Sequence, residues 1–568
     1  MENKNTGKPA SGGVLNNFIT QAGILAAAGF ISRIIGLLYT SPLSGIIGDL
    51  GLGYYTSAYN YYTIILLISS YSIPSAISKV MAGKLGAGEY KNAHRLFIGA
   101  LIYVLVIGAA ASAFLYFGAG LFVEPAAVPV LRTFAPTIFI YGILGVLRGY
   151  FQAHKNMVPT SVSQIFEQIA NAAVSVGAAY FLITYTTGHS LFGMQPLETI
   201  SSDLGFTVSR AVRGAIGSAL GTGTGVVIAL VFMFIAYMKS RASFKNQIAS
   251  DPHKNVDSAG SIIKMITLIV TPFILSTAIS NLASTVNNKL FTSFYPAFRN
   301  LDPVTVTSHW GIFSGKSMKI SNIPIAFASA MAAAMIPQIA QLIAANKKEE
   351  SKQKIGLAVK ATMLISIPCA VGLFVLAAPI TLLLYPNTLP NIELAKYSLM
   401  ALSLSVVFYA LSTLNSSVLQ GLGKVVTPII NAGVALVIQT VAGISLLFFT
   451  DLDVFSIAIT STLYSAIIAI LNQLAVRKHI GYKQEIPKTF VLPFFASIIM
   501  GGAAYGVYRL VLMATNSARV SVIPAIIISV PVYFVALLLV RAVNEEELKS
   551  FPKGNALVKL AKRLHLLT

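Results

Sequence analysis

Long apolar runs, repeated from end to end, constrain this 568-residue chain more than any other feature. Crossing a bilayer takes roughly 20 apolar residues in a helix. Runs of that kind cover about 14–40, 55–79, 95–119, 129–151, 159–185, 214–239, 261–290, 320–344, 357–384, 394–419, 427–450, 454–476, 489–512 and 521–541. Inside lipid the backbone must satisfy its own polar groups, which leaves helices or closed barrels. The runs are near-continuous rather than alternating, as barrel strands would be. The expected fold is therefore an all-α polytopic membrane protein of about fourteen transmembrane helices. With 55% hydrophobic and 10% charged residues, a soluble fold of this length would lack the polar surface to cover itself.

The net charge is +21, and its placement decides its meaning. Alternating the spans puts 29 of the 40 Lys and Arg on the side of the N-terminus, ten on the other side, and one, Arg33, within a span. By the positive-inside rule this is a topology signal that makes both termini cytoplasmic in a multi-pass protein of the cell membrane. Nucleic acid is not the expected partner. Lys4, Lys8 and Ala26-Ala27-Ala28 resemble a signal peptide, but the apolar run continues past the alanines and reads as an uncleaved anchor. A single cysteine, Cys369, rules out an internal disulfide and offers no metal cluster.

Two features of the first half recur in the second. Ile73-Pro74 runs into the basic loop Lys84–Lys91, and Ile336-Pro337 runs into Lys347–Lys352. Gln152-Ala153-His154-Lys155 precedes Pro159, as Gln420-Gly421-Leu422-Gly423-Lys424 precedes Pro428. Six spans separate the copies, so they share an orientation, as in transporters built from parallel repeats. The expected organisation is a cytoplasmic N-terminus (1–13), an N-lobe of six helices (14–241) and a cytoplasmic linker (242–259) with Asp251, Pro252, His253 and Lys254. A C-lobe of six helices (260–478), a terminal pair (489–543) and a basic cytoplasmic tail (544–568) complete it. External loops are expected at about 186–213 and 291–319. Residues 555–567 alternate Leu557, Leu560, Ala561 and Leu564 with Lys559, Lys562 and Arg563, the pattern of an interfacial amphipathic helix.

Arg33 is the most informative position, because a charge near the middle of a span costs several kcal/mol unless it meets a cavity or a partner. Either it lines a cavity, where a guanidinium suits phosphate, or it pairs with an acid such as Glu167. Ser161, Gln164, Glu167, Gln168, Asn171 and Ser175 form a polar stripe on one face of the fifth span. Thr277, Asn281, Ser284, Asn288 and Lys289 do so on the seventh, and Ser405, Tyr409, Ser412 and Ser416 on the tenth. Such faces line a cleft or join helices. Pro74, Pro272, Pro324, Pro337 and Pro368 lie within spans, the first four as candidate hinges beside the reading of plain kinks. Gly311–Ser317 imitates a phosphate loop, but Trp310 stands where the first glycine belongs. Gly217, Gly221 and Gly225, at four-residue steps, read as close helix packing. Seven scattered histidines give no metal centre and no catalytic constellation, so no enzyme is expected.

Ser32-Arg33-Ile34-Ile35-Gly36, Gly51-Leu52-Gly53-Tyr54-Tyr55 and the paired Gln…Lys…Pro junctions together resemble the multidrug/oligosaccharidyl-lipid/polysaccharide exporter superfamily. The resemblance is to its polysaccharide-transporter branch, which holds the MurJ-like lipid II flippases, and covers the whole chain. It implies two six-helix lobes, alternating access around a cationic cavity, and an undecaprenyl-diphosphate-linked saccharide, lipid II foremost, as cargo. No cofactor and no ATP are implied; membrane potential or an ion would supply the energy. The implied partners are the cargo, membrane lipids and cell-wall synthesis enzymes, with the protein a monomer and 489–543 a groove for the lipid tail. Arg33 carries over as a cavity arginine. The family has a second arginine where this chain has Tyr39, leaving Lys264, Lys289 and Arg148 as substitutes. Two other classes stay open: a cation-coupled drug or metabolite exporter of the same superfamily, and a non-transporting scaffold.

Overall fold

A computed structural model of the protein describes residues 11–71, 73–191, 193–200, 202–253, 257–545 and 554–563. They are overwhelmingly helical, and the one β-type pairing among them is an isolated bridge between Leu191 and Met194. The first helix, α1 (Ser11–Leu66), is broken at Gly48, whose φ of 71° is open to glycine at little cost. A π-helical turn, Leu67–Tyr71, leads to α2 (Ile73–Gly86), α3 (Tyr90–Phe122), α4 (Val128–Ala153), α5 (Val158–Gly188) and α6 (Asp203–Ala249). Next come α7 (Ala259–Lys289), α8 (Tyr295–Arg299), α9 (Pro303–Ile312) and α10 (Met318–Ala344). The chain ends with α11 (Lys348–Val375), α12 (Ala377–Leu384), α13 (Ile392–Gly421), α14 (Val426–Phe449), α15 (Val454–Ile480), α16 (Leu492–Thr515), α17 (Ala518–Leu539) and α18 (Gly554–Arg563).

Among the described residues eleven helices are long and apolar enough to cross a membrane, so the protein is an all-α, multi-pass membrane protein. One of the eleven, Ala27–Ser70, runs through the break at Gly48 and takes in parts of two expected spans. The expected external loop 291–319 is largely helical. Asp302 caps α9, accepting from the N–H groups of Val304 (3.2 Å) and Thr305 (3.0 Å), and Pro303 fills the first turn. A π-helical turn, Phe313–Ser317, then carries the chain into α10 without a gap. Its short length and its interspersed Ser, Gly and Lys hid this helical stretch, whose apolar side packs on other helices.

The helices gather into two compact units. Unit 1 comprises the described residues up to Tyr39 together with Tyr61–Thr184 and Ile216–Ala278. Its core joins Ile73, Phe97, Val104, Leu144, Tyr150, Met233 and Ile262. Lipid is as apolar as leucine, so packing in a membrane relies on small residues that let backbones approach. On α6, a Cβ at Gly217 would stand 2.4 Å from the Ala179 nitrogen, at Gly221 2.1 Å from Ser175 Oγ, and at Gly225 2.5 Å from the Glu167 carbonyl. The spacing of four thus seats α6 on α5. Pro74 lies in the first turn of α2, against Gly145 and Gly149 of α4.

α6 continues to Ala249, well into the expected linker. Beyond it Asp251 is buried, accepting from the Lys91 N–H at 2.7 Å and from the His253 N–H at 2.8 Å. The Lys91 N–H holds this carboxyl down to about 2; burial opposes, and the His253 backbone and ring add to the lowering. Lys84 bridges Glu89 (2.9 Å) and Asp257 (2.6 Å), so the α2–α3 loop grips the linker at several points. Lys254 lies outside the described residues.

Unit 2 comprises Thr40–Asn60, Tyr185–Ala215 and the chain from Ile279 onward. One apolar cluster joins α10, α11, α13 and α15 through Met335, Ile339, Met363, Leu414 and Val476. A second surrounds Trp310 with Phe291, Phe313, Leu402 and Ile457. The terminal pair α16–α17 packs on α11 and α12. Val558 of α18 is buried in that cluster, while Lys559, Lys562 and Arg563 are exposed.

Candidate functional site

The polar stripe of α5 divides three ways within unit 1. Toward α4, Glu167 Oε2 accepts from Arg148 at 2.7 Å, and Arg148 Nε donates to Ser163 Oγ at 3.0 Å. Arg148 is buried, so its charge is spent inside the protein. Toward α6, Asn171 and Ser175 are buried; Ser175 Oγ lies 2.9 Å from Asn171 Oδ1 and from the Ser218 carbonyl. Toward α1, a Cβ at Gly36 would stand 4.0 Å from Gln168 Oε1. Four residues earlier on the two helices come Ser32 and Gln164. The Ser32 hydroxyl and Gln164 Oε1 are both buried and lack hydrogen-bond partners among the described residues.

Arg33 follows Ser32 in the chain. It is exposed, and no acceptor or acid among the described residues meets it. The pairing with Glu167 that the sequence left open goes instead to Arg148. What unit 1 offers chemically is a guanidinium whose five donors meet no acceptor among the described residues, with the buried Ser32 hydroxyl before it in the chain. Lys264, in the first half of α7, is exposed.

In unit 2, Asn288 is buried and donates to Ser57 Oγ at 2.9 Å, and Ser284 Oγ lies 3.4 Å from Asn60 Oδ1. Asn281 and Lys289 are half-buried. Ser405 and Ser412 are buried, and Ser416 accepts from Asn472 at 2.8 Å. Pro324 is half-buried in α10; the side chains of Pro272, Thr277 and Pro337 lie outside the described residues.

The sequence reading missed two lysines. Lys316, fully buried, meets Asp49 Oδ1 at 2.5 Å and Thr388 Oγ1 at 2.7 Å, with the Tyr385 ring 5.8 Å away. Lys319 Nζ donates to Thr40 Oγ1 at 2.9 Å, one residue along the chain from Tyr39. The false phosphate loop is explained here as well. A Cβ at Gly311 would stand 2.0 Å from the Asp49 carbonyl, and one at Gly315 3.3 Å from Leu52. A lysine inside a segment too apolar to be a plain loop was the available signal.

Known proteins are similar to this chain in sequence and fold. The chain is 25% identical over 498 residues to the lipid II flippase MurJ of Bacillus subtilis (strain 168), spanning 84% of this chain and 86% of that one. It is 21% identical over 536 residues to stage V sporulation protein B of the same organism, spanning 93% and 96%. The solved structure of lipid II flippase MurJ in an inward closed conformation superposes with a TM-score of 0.63 at 17% identity, over 90% of this chain and 97% of that one. That likeness establishes the fold. A family model described as lipid II flippase MurJ matches residues 90–522. This all-α membrane protein thus belongs to the MurJ lipid II flippase family, a family of transporters.

Proposed function

We propose that the protein carries lipid II, the undecaprenyl-diphosphate-linked peptidoglycan precursor, from the inner to the outer leaflet by alternating access. The observation that carries this reading is Arg33, exposed on a span-forming helix without an acidic partner among the described residues. A bidentate guanidinium matches a diphosphate, and similarity to the B. subtilis lipid II flippase supports the choice of cargo. Lys319, half-buried and donating to Thr40, the residue after Tyr39, is a better substitute for the missing arginine than Arg148, which Glu167 already holds. In this reading the isoprenoid stays in lipid, both termini are cytoplasmic, and a monomer works without ATP. Inward-negative potential helps return the empty, cationic cavity.

Arg33→Ala should abolish lipid II flipping in proteoliposomes at unchanged expression; a wild-type rate would overturn the assignment. Collapsing the membrane potential should slow turnover, and an unchanged rate removes the voltage step. Loading the same vesicles with another undecaprenyl-diphosphate saccharide tests the alternative favoured by similarity to a sporulation protein, a different sugar headgroup.

A further inference from the structure

Unit 1 carries a cavity of about 610 Å³ between α3 and α4 that uses none of the polar residues described above. Its origin lies in the sequence. The two helices touch at Gly108, where a Cβ would lie 3.4 Å from Phe139 Cα. Past that contact α3 presents small residues, Ala109, Ser112 and Ala113. Opposite them α4 carries Pro136, which has no N–H to give the Arg132 carbonyl one turn back. Ser112 Oγ donates to the Ala135 carbonyl at 2.8 Å, which turns this hydroxyl into α4; the other lining residues are apolar or aromatic. Phe117, largely exposed, forms one wall. From Ala109 to Phe117 the slot follows the helix for about 12 Å at 1.5 Å per residue.

Arg132 stands where this slot meets the end of α4. It is exposed, its Nε donates to the Tyr116 carbonyl at 3.2 Å, and its guanidinium lies 5.5 Å from the Tyr116 ring centre. The chain uses one of its five donors. No acidic side chain among the described residues is seen paired with it, which leaves most of its donors for an anion. The apolar slot suits an acyl chain, and the half-used guanidinium at its rim suits a phosphodiester.

We propose that this slot holds an anionic phospholipid in the leaflet opposite the basic loops, with its acyl chain against Ala109, Ala113 and Pro136 and its phosphate on Arg132. Site and lipid are separate from the cargo and from Arg33. The test uses full-length protein in vesicles containing phosphatidylglycerol with a diazirine in mid-chain. After illumination, adducts should concentrate in 109–117 and 136–140. They should fall about tenfold in Arg132→Gln and also in Ala113→Phe, which fills the slot. A phosphatidylethanolamine probe should label the slot several-fold less. Labelling spread evenly over the lipid-facing helices, or slot labelling that neither variant changes, overturns the proposal. Loss of the label on adding an undecaprenyl diphosphate would give the slot to the cargo and overturn it equally. Arg132 is exposed, so its replacement leaves the core intact.

Discussion

Replacing Asp49 by Asn tests whether the Asp49–Lys316 pair holds the Trp310 region together. Lys316 is fully buried, and Asp49 Oδ1 lies 2.5 Å from its ammonium. Without the carboxylate, the charge would keep only the Thr388 hydroxyl and the Tyr385 ring. Removing one partner of a buried pair costs about 3–5 kcal/mol. The two remaining contacts hold the loss to the lower end, about 3 kcal/mol, or two decades in the local opening equilibrium. Lys316→Met should cost less, because Asp49 is partly open to solvent and keeps Asn391 at 3.2 Å. The double variant should be more stable than Asp49→Asn alone, since it leaves no uncompensated charge. The sequence contains one tryptophan, Trp310. It is fully buried in the same cluster, beside the Gly311 that packs on the Asp49 carbonyl. Its emission on heating therefore reports this region directly. Equal melting of Asp49→Asn and wild type, or a double variant costing the sum of the singles, would refute the reasoning.

Gly221→Ala should destabilise by more than the ~1–3 kcal/mol usual for overpacking, because the new methyl would lie 2.4 Å from the Ser175 backbone nitrogen and force α5 from α6; a melting curve unchanged from wild type would contradict it. The Asp251 carboxyl, ordinarily near 3.9 and held at about 2 here, has a lowered folded-state value. Its stabilisation is therefore present above about pH 4 and lost as pH falls toward 2. Asp251→Asn should accordingly speed tryptic cleavage between Lys245 and Lys264 several-fold at pH 7, and wild-type linker should loosen to an acid-active protease between pH 4 and 2. An equal cleavage rate in the variant would show that the linker is held by other contacts.

How much of this was readable in advance depends on the range over which each feature is encoded. Membrane helices are local: lipid forbids unsatisfied backbone, so an apolar run is enough to announce one. Gly217, Gly221 and Gly225 were legible for the same reason, since one helical periodicity places all three on one face. Partner choice is not local. Asp49 and Lys316 stand 267 positions apart, and nothing beside either residue names the other. Glu167 could have served Arg33 or Arg148, both within reach of a polar stripe on α5. Only the packing of α4 on α5 shows that Arg148 takes it, with Ser163 as second acceptor.

That distinction sorts the cations by purpose. A buried positive charge is stable when the chain supplies its counter-ion or carbonyls. Arg148 has Glu167, Lys316 has Asp49, and Arg213 donates to the carbonyls of Thr186 and Gln195. Replacing any of these three disturbs the fold before it disturbs transport. Arg33 is chemically the same group as Arg148, on a helix just as apolar, yet the described chain offers it no acid. Its cost in the membrane is offset by a water-filled cavity and by an anion that arrives and leaves, the second being what a carrier of diphosphate-linked lipid requires. The prediction is therefore asymmetric. Arg33→Lys, which keeps the charge but loses the planar fork, should retain melting temperature and lose flipping; Arg148→Lys should lower the melting temperature first. If both variants fell together in stability, Arg33 would be a structural residue and the cargo assignment would lose its main support.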